Sequence, residues 1–391
     1  MNTAKHRVLA LYPGSAATRV AAYADNKKIF SCDITHDLPT SSRLPKMVQQ
    51  VQMRETDIAR CCDKHGFDMS TLSTVVGRCG PLPPLKQGAY LVDETMLNYL
   101  NSKSVHDHPS KLGPLIAWSI AQCYGVQAYV YDSARVDEID DIARLSGHPE
   151  LPRIPRTPIL NMHAAALKVA EERNLSYAAD TFIVAYLGFG ICMGIFDKGR
   201  MIDYVSDDEG PFSLERSGRL PYRRLINFCF SGRYGHTKTM KSARNKGGLI
   251  GYLGTNRIEQ VEAMIASGND KALLAYKAMA YQTAKSIGEL STVVKGKVDR
   301  IVLTGELACS ALLVKLVEER VNFIAPLSIV PGENDVEALA LGALRVLKGE
   351  EKAHLFKPCT SESVRTESNT ILLPFVKETY GQRQEAVGYT E

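Results

Sequence analysis

No apolar run in the 391-residue sequence is long enough to cross a bilayer, so a transmembrane helix is not expected. Basic runs and basic–aromatic alternation are missing, and the net charge is only +4, which argues against a nucleic-acid partner. There is no CxxC pair and no HExxH motif, so a structural zinc site is not expected. Nine cysteines are scattered along the chain, an odd number, with only Cys61 and Cys62 adjacent. That scatter points to reduced thiols in a cytoplasmic protein and away from a disulfide framework. Met1–Arg7 is polar and runs straight into a strand pattern, so no signal peptide is expected.

What is present fits a globular α/β protein with length enough for two domains: 45% of residues are hydrophobic and 23% charged. The most patterned stretch is Thr181–Gly218. Its runs Thr181–Leu187, Ile191–Phe196 and Arg200–Tyr204 are separated by Gly188-Phe189-Gly190 and by Lys198-Gly199, which reads as three antiparallel strands. A glycine-lined turn exposes backbone N–H groups and can cradle a phosphate. With Asp207, Asp208, Glu209 and Arg216 following, the stretch reads as a phosphate loop beside carboxylates, or as a plain meander with a solvated acidic loop. The N-terminus repeats the pattern over Arg7–Leu11, Thr18–Tyr23 and Ile29–Phe30. There Pro13 and Gly14 permit a tight turn, with the hydroxyls of Ser15 and Thr18 beside it. A simple hairpin and a phosphate loop are both open at that turn.

Between these landmarks, Leu44, Met47, Val51, Ile58 and Cys62 recur at helical spacing over Leu44–His65. The strand Thr74–Gly77 ends at Arg78, held between glycines, which suits an anion or is an exposed structural arginine. Asp93 is placed to cap a short helix to Leu100. The strand Val126–Tyr131 ends at Asp132, and loops beyond strand ends are where α/β sites gather. Pro149, Pro152, Pro155 and Pro158 mark a domain boundary. The longest helix, Asp270–Val294, is expected to bury Leu274, Ala278, Tyr281, Ile287 and Leu290. The strand Asp299–Leu303 leads into Thr304-Gly305, and the last helix spans Val336–Leu347. Two halves that open with glycine-turned strands and continue as strand–helix alternation predict a duplicated α/β unit with its site in the cleft between them.

Several stretches carry a family likeness: PGSAATR at Pro13–Arg19, VVGRCG at Val75–Gly80, VDEIDDIARLSGHPE at Val136–Glu150 and DEGPFSLERSG at Asp208–Gly218. CFSGRY at Cys229–Tyr234, GGLIGYLGTN at Gly247–Asn256, AMAYQTAKSIG at Ala278–Gly288 and the segment Glu319–Glu350 complete the set. Collinear from about Arg7 to Glu350, the chain resembles the butyrate kinases, within the acetokinase group of the actin-like ATPase and sugar kinase superfamily. The resemblance implies two duplicated actin-like (ribonuclease H-like) α/β domains facing a central cleft, at 1–155 and 156–332. It also implies a last helix, 336–348, returning to the first domain, and a polar extension over 351–391. The implied activity is reversible transfer of the γ-phosphoryl group of ATP to a short-chain fatty acid such as butyrate or isobutyrate, giving an acyl phosphate and ADP, with Mg²⁺. A homodimer or larger homo-oligomer is implied as well.

By the same resemblance, Gly14, Ser15 and Thr18 match one phosphate loop, Gly188 and Gly190 the other, and Thr304 and Gly305 the start of an adenosine loop. Arg78 matches an arginine on the carboxylate and the phosphoryl group, and His108 a histidine beside the transferring phosphoryl. Asp132 and Glu337 match carboxylates tied to metal and phosphoryl positioning. The chain departs from the family at Tyr12, where it writes asparagine, at Tyr186, where it writes histidine, and at Phe189 and Glu306, where it writes glycine. An arginine near Leu167 is also missing. These changes leave a second expectation, a weakened or inactive relative that binds nucleotide or a partner.

Overall fold

The structure, a computed structural model, describes residues 5–36, 47–102, 105, 108–155 and 157–358. Residue Leu44 of the first expected helix, and the extension beyond residue 358, lie outside the described residues.

Strands β1 (Arg7–Pro13), β2 (Ala17–Ala24) and β3 (Lys27–Thr35) are antiparallel neighbours. Helix α1 (Val51–Lys64) leads to β4 (Thr74–Gly77), which pairs parallel to β1. Then come β5 (Ala89–Leu91), α2 (Glu94–Asn101), α3 (Leu112–Tyr124), β6 (Gln127–Tyr131) and the short α4 (Asp141–Arg144). Asp93 caps α2, its side chain accepting from the Met96 amide at 2.8 Å. Helix α4 is a single turn of four residues.

Helix α5 (Ile159–Glu172) opens the second half, followed by β7 (Thr181–Leu187), β8 (Ile191–Asp197) and β9 (Arg200–Val205). These three are antiparallel, as the glycine turns require. Next are α6 (Tyr222–Cys229), α7 (His236–Asn245), α8 (Gly248–Leu253), α9 (Ile258–Ala266), α10 (Asp270–Val293), β10 (Arg300–Gly305), α11 (Ala311–Val321) and β11 (Leu327–Pro331). The chain then returns as α12 (Asp335–Lys348) and β12 (His354–Leu355). The sheets run β3-β2-β1-β4-β6-β5-β12 and β9-β8-β7-β10-β11, so the same five-strand order occurs twice, with two added strands in the first.

Each sheet is covered on both faces. Ile58 and Cys62 of α1 and Leu112 and Ile116 of α3 fill the outer face of the first sheet, against Leu9, Val20 and Val75. Val336, Leu339 and Ala343 of α12 fill its inner face, against Val8, Ala10 and Tyr23. In the second sheet α10 and α11 cover one face and α5 the other. Helices α5 and α12 pack on each other, so the inner layers of the two halves meet. Truncating Leu339, which is fully buried, to alanine costs about 2–5 kcal/mol by the usual cavity penalty.

Two expectations are corrected. On α10, Ile287 and Leu290 are buried, but Leu274 is 72% and Tyr281 51% exposed. The packed face carries Ala272, Ala275, Ala280 and Ala284 around Tyr276, and the alanines let α10 lie close to its neighbours but weaken the hydropathy pattern. The reading of the thiols as reduced also fails at one pair: Cys32 on β3 and Cys61 on α1 are joined as a disulfide. Their separation of 29 residues gave no sign that a strand and a helix bring them together. Among the described residues no helix is long and apolar enough to cross a membrane.

Candidate active site

The C-terminal ends of the strands of both halves open onto one cavity of about 1120 Å³. Of the residues proposed from sequence, Gly14, Arg78, His108, Asp132 and Gly190 line it, together with Tyr12 and Tyr186.

Arg78 follows β4 directly, its amide bonded to the Leu11 carbonyl at 2.8 Å. The strand end is pressed onto the start of α3. A Cβ at Gly113 would stand 1.8 Å from the Arg78 carbonyl oxygen, so only glycine fits there. The guanidinium lies over the Tyr12 ring, 4.3 Å from its centroid. Tyr12 thus shelves the cation that faces the cavity. Burial and the Asp335 carboxylate push the Tyr12 phenol up to about 12, so it stays protonated at neutral pH. His108 precedes the turn Pro109–Lys111, and its Nδ1 accepts from the Ser110 amide at 3.2 Å. Ser110 Oγ stands 2.7 Å from the same nitrogen, and with Nδ1 accepting there the neutral ring carries its proton on Nε2.

Asp132 ends β6 with φ of +43°, a backbone region that non-glycine residues seldom occupy. Its Oδ1 accepts from the Gly88 amide at 2.8 Å, and its Oδ2 from His163 Nδ1 at 2.6 Å. His163 Nε2 faces Gln87 Nε2 at 3.1 Å, and Gln87 Oε1 accepts from Tyr177 at 3.0 Å. A chain that runs through His163 and Tyr177 of the second half and Gln87 of the first therefore fixes the rotamer of the Asp132 carboxylate.

A second carboxylate, Asp335 at the start of α12, was not anticipated. Asn161 donates to it at 2.5 Å. Burial, then the Glu333 carboxylate, push the Asp335 carboxyl up to about 6, against the pull of that hydrogen bond and of Arg78 and Arg19. Asn161 and His163, two residues apart on α5, thus serve the two carboxylates. Asp132, Glu333 and Asp335 all line the cavity and offer oxygen only, the donor set that hard divalent cations prefer. The raised Asp335 marks negative charge that such a cation would compensate.

The other sequence-selected residues are not among those that line the cavity. Glu337 and Glu306 line a neighbouring recess of about 540 Å³, with Tyr23, Asp33 and Val336. Thr18 is fully buried, its hydroxyl shared between His36 Nε2 at 2.7 Å and Arg54 at 3.0 Å. Ser15 is exposed beside the turn. Thr304 and Gly305 sit at the end of β10, where a Cβ at Gly305 would come within 2.5 Å of the Leu187 carbonyl oxygen.

Arg54 was missed. It is fully buried on α1, and its guanidinium donates to the carbonyls of Ser15 (2.8 Å), Gly14 (3.1 Å) and Ala17 (3.4 Å) and to Gln50 Oε1 (2.9 Å). It holds the whole first turn from behind. Among the described residues the second turn has no such brace. Gly188 packs on the Tyr186 ring, the Ser213 hydroxyl donates to the Phe189 carbonyl, and Gly190 abuts Asp207. Tyr186 donates to Glu333 at 2.8 Å, and burial with Glu333 holds its phenol far above the ordinary value. Phe189, 47% exposed, is not among the cavity-lining residues.

No family model matches the chain. Butyrate kinase 2 of Clostridium acetobutylicum is 40% identical over 355 residues, 90% of this chain and 100% of that protein. This chain belongs to the butyrate kinase family. This butyrate kinase relative shares its fold with enzymes much further off in sequence. Acetate kinase of Porphyromonas gingivalis superposes with a TM-score of 0.69 at 15% identity, over 85% of this chain and 98% of that one. A propionate kinase of Francisella tularensis gives 0.65 at 14%, over 86% and 98%. The two actin-like α/β units expected from sequence are thus the architecture of this butyrate kinase relative.

Proposed function

We propose that the chain is a short-chain carboxylate kinase that transfers the γ-phosphoryl group of ATP to butyrate or isobutyrate, reversibly, giving the acyl phosphate and ADP. The observation that carries this reading is the convergence of Arg78, His108 and Asp132 with the second glycine turn on one cavity, in a chain of this family. The acceptor carboxylate oxygen attacks the γ-phosphorus in line, the bridging oxygen leaves with ADP, and charge spreads over the equatorial oxygens. Arg78 offers a planar fork to the acid and to the phosphoryl oxygens, steadied by the Tyr12 ring. The Nε2 proton of His108 adds a donor. The amides of the two turns take the phosphates, and Thr304-Gly305 opens the adenosine side.

Mg²⁺ belongs to this reading, held through Asp132 and Asp335, with Glu337 behind them in the adjoining recess. It would supply charge neutralisation across the phosphates. The halves, near 1–155 and 156–332, would close about the chain segments that join them. Self-association as a homodimer or larger assembly, in the cytoplasm, completes the reading. The exposed Tyr222, Ile226 and Phe230 of the α6 region give it an apolar surface.

Trapping of acyl phosphate as hydroxamate, with ATP, Mg²⁺ and acids of two to six carbons, tests the reading. Product is expected with the four-carbon acids, and none with any acid would overturn it. In the same assay Arg78→Ala should lower turnover about a thousandfold with unchanged thermal unfolding. Arg78→Lys should restore little, because it lacks the fork.

A further inference from the structure

Among the described residues, one cluster of ligating side chains lies outside the cavity. Cys32 of β3, Cys61 near the end of α1 and His65 just past it bring two sulfurs and a ring nitrogen within 4.8 Å of one another. Cys61 Sγ and His65 Nδ1 are 3.7 Å apart. Two ligands on one tetrahedral zinc ion, at about 2.3 Å for sulfur and about 2.05 Å for nitrogen, stand about 3.6 Å apart. The Cα atoms of Cys32 and Cys61 are 7.9 Å apart, outside the range of about 4.4–6.8 Å that a disulfide commonly bridges. Two metal–sulfur bonds reach further than one sulfur–sulfur bond. The imidazole is held in place by Phe30, which stacks on it with centroids 4.5 Å apart. Its Nδ1 also bonds the Cys61 carbonyl at 2.8 Å, a hydrogen bond that metal binding would exchange for a metal–nitrogen bond. Cys62, next in sequence, faces the core with its thiol pushed up to about 12 by burial, and takes no part.

We propose that Cys32, Cys61 and His65 form a binding site for a thiophilic divalent cation, zinc(II), once the cysteine pair is reduced. A thiol reductant opens the site: the disulfide takes two electrons and two protons from two reductant thiols, which leave as their own disulfide. The cation then binds both sulfurs as thiolates and releases two protons, with His65 as third ligand and water as fourth. The site pins α1 to β3. Arg54 lies seven residues back on the same helix, about 10 Å along its axis, so the pin steadies the helix that braces the first turn.

Cobalt(II) reports the ligands directly. The full chain, reduced with a phosphine and freed of metal, should take up one equivalent of cobalt(II) with thiolate-to-cobalt charge-transfer absorption and the visible bands of tetrahedral coordination. Zinc(II) should then displace it. Cys32→Ser and Cys61→Ser should each abolish the charge-transfer band or weaken binding at least a hundredfold, and His65→Ala should weaken it about tenfold or more, with circular dichroism unchanged. No charge-transfer band in protein whose thiols titrate as free, or a band that survives Cys61→Ser, would overturn the site. These readouts do not depend on kinase activity, so they separate failure of the site from failure of the proposed function.

Discussion

The two glycine turns are built on the same hairpin plan and held in opposite ways. The first turn is tied by the charged donors of buried Arg54 to three of its own carbonyls. The second leans on packing, with a tyrosine ring under Gly188, the Asp207 side chain against Gly190 and one hydroxyl on the Phe189 carbonyl. Hydrogen bonds from a guanidinium fix direction as well as distance. A packed ring fixes distance alone. The first turn should therefore be rigid before ligand arrives, while the second is set by how closely its neighbours crowd it.

Removing the brace should have the largest effect. Arg54→Ala removes the guanidinium donors from the Gly14, Ser15 and Ala17 carbonyls and from the Gln50 side chain and empties a buried site, and about 3 kcal/mol of stability in urea unfolding should go with them. Where the variant stays folded, kcat/KM should fall roughly a hundredfold, because the turn is misplaced by a fraction of an ångström. Near-parental kinetics would show that the first turn does not need its arginine. Gly190→Ala attacks the second turn by crowding. Its Cβ would meet Asp207 Cβ at 2.9 Å and Oδ2 at 3.0 Å, and Asp207 is itself paired with Arg216 at 3.2 Å. KM for ATP should rise about tenfold with little change in unfolding, a loss of about 1.4 kcal/mol in binding.

Asp335 acts on both hairpins, adding to burial in raising the Tyr12 phenol on one and to burial and Glu333 in raising the Tyr186 phenol on the other. Its carboxyl sits at about 6 in the folded chain, above the ordinary 3.8. Folding therefore favours the protonated form, whose stabilisation is full below the unfolded value and is lost as pH rises through about 6. Asp335→Asn should raise the melting temperature of metal-free protein near pH 8, by roughly 1–3 kcal/mol in stability, and change it little near pH 4. An equal shift at both values would remove the carboxyl as cause. The smallest effect belongs to Phe189→Gly. That residue is half exposed and does not line the cavity, so KM for ATP should move less than about threefold. A tenfold improvement would mean that the ring obstructs the phosphates.

Much of this plan is legible in sequence, because it is local. Glycine turns announce the hairpins, Gly77-Arg78 a strand end, and Asp132 follows a buried run. The braces are not local. His163 reaches Asp132 across 31 residues, and Asn161 reaches Asp335 across 174. Arg54 did leave a trace. It stands three residues after Val51 and four before Ile58, inside the apolar stripe of α1, and a charge in such a stripe must find partners indoors. Between Asp335 and Glu337 the sequence offered no choice, since two residues on a helix differ by about 200° in direction. That rotation sends one carboxylate to the cavity and the other to the recess.

The return of α12 and β12 to the first sheet has a consequence for how the protein is made. On the ribosome the first half emerges early but cannot be finished, because the helix that covers Val8, Ala10 and Tyr23 and the last edge strand come from residues 335–355. The side chain of Glu351 even accepts from the Ala89 amide, 262 residues upstream, at 3.0 Å. At about 5–20 residues per second, the inner face of the first sheet stays bare for roughly ten to fifty seconds of synthesis. The second half, whose strands and covering helices all lie between Ile159 and Pro331, is complete before that wait ends. The half translated first is the half that folds last, and a chain stopped short of Asp335 leaves the ribosome with an apolar sheet face uncovered.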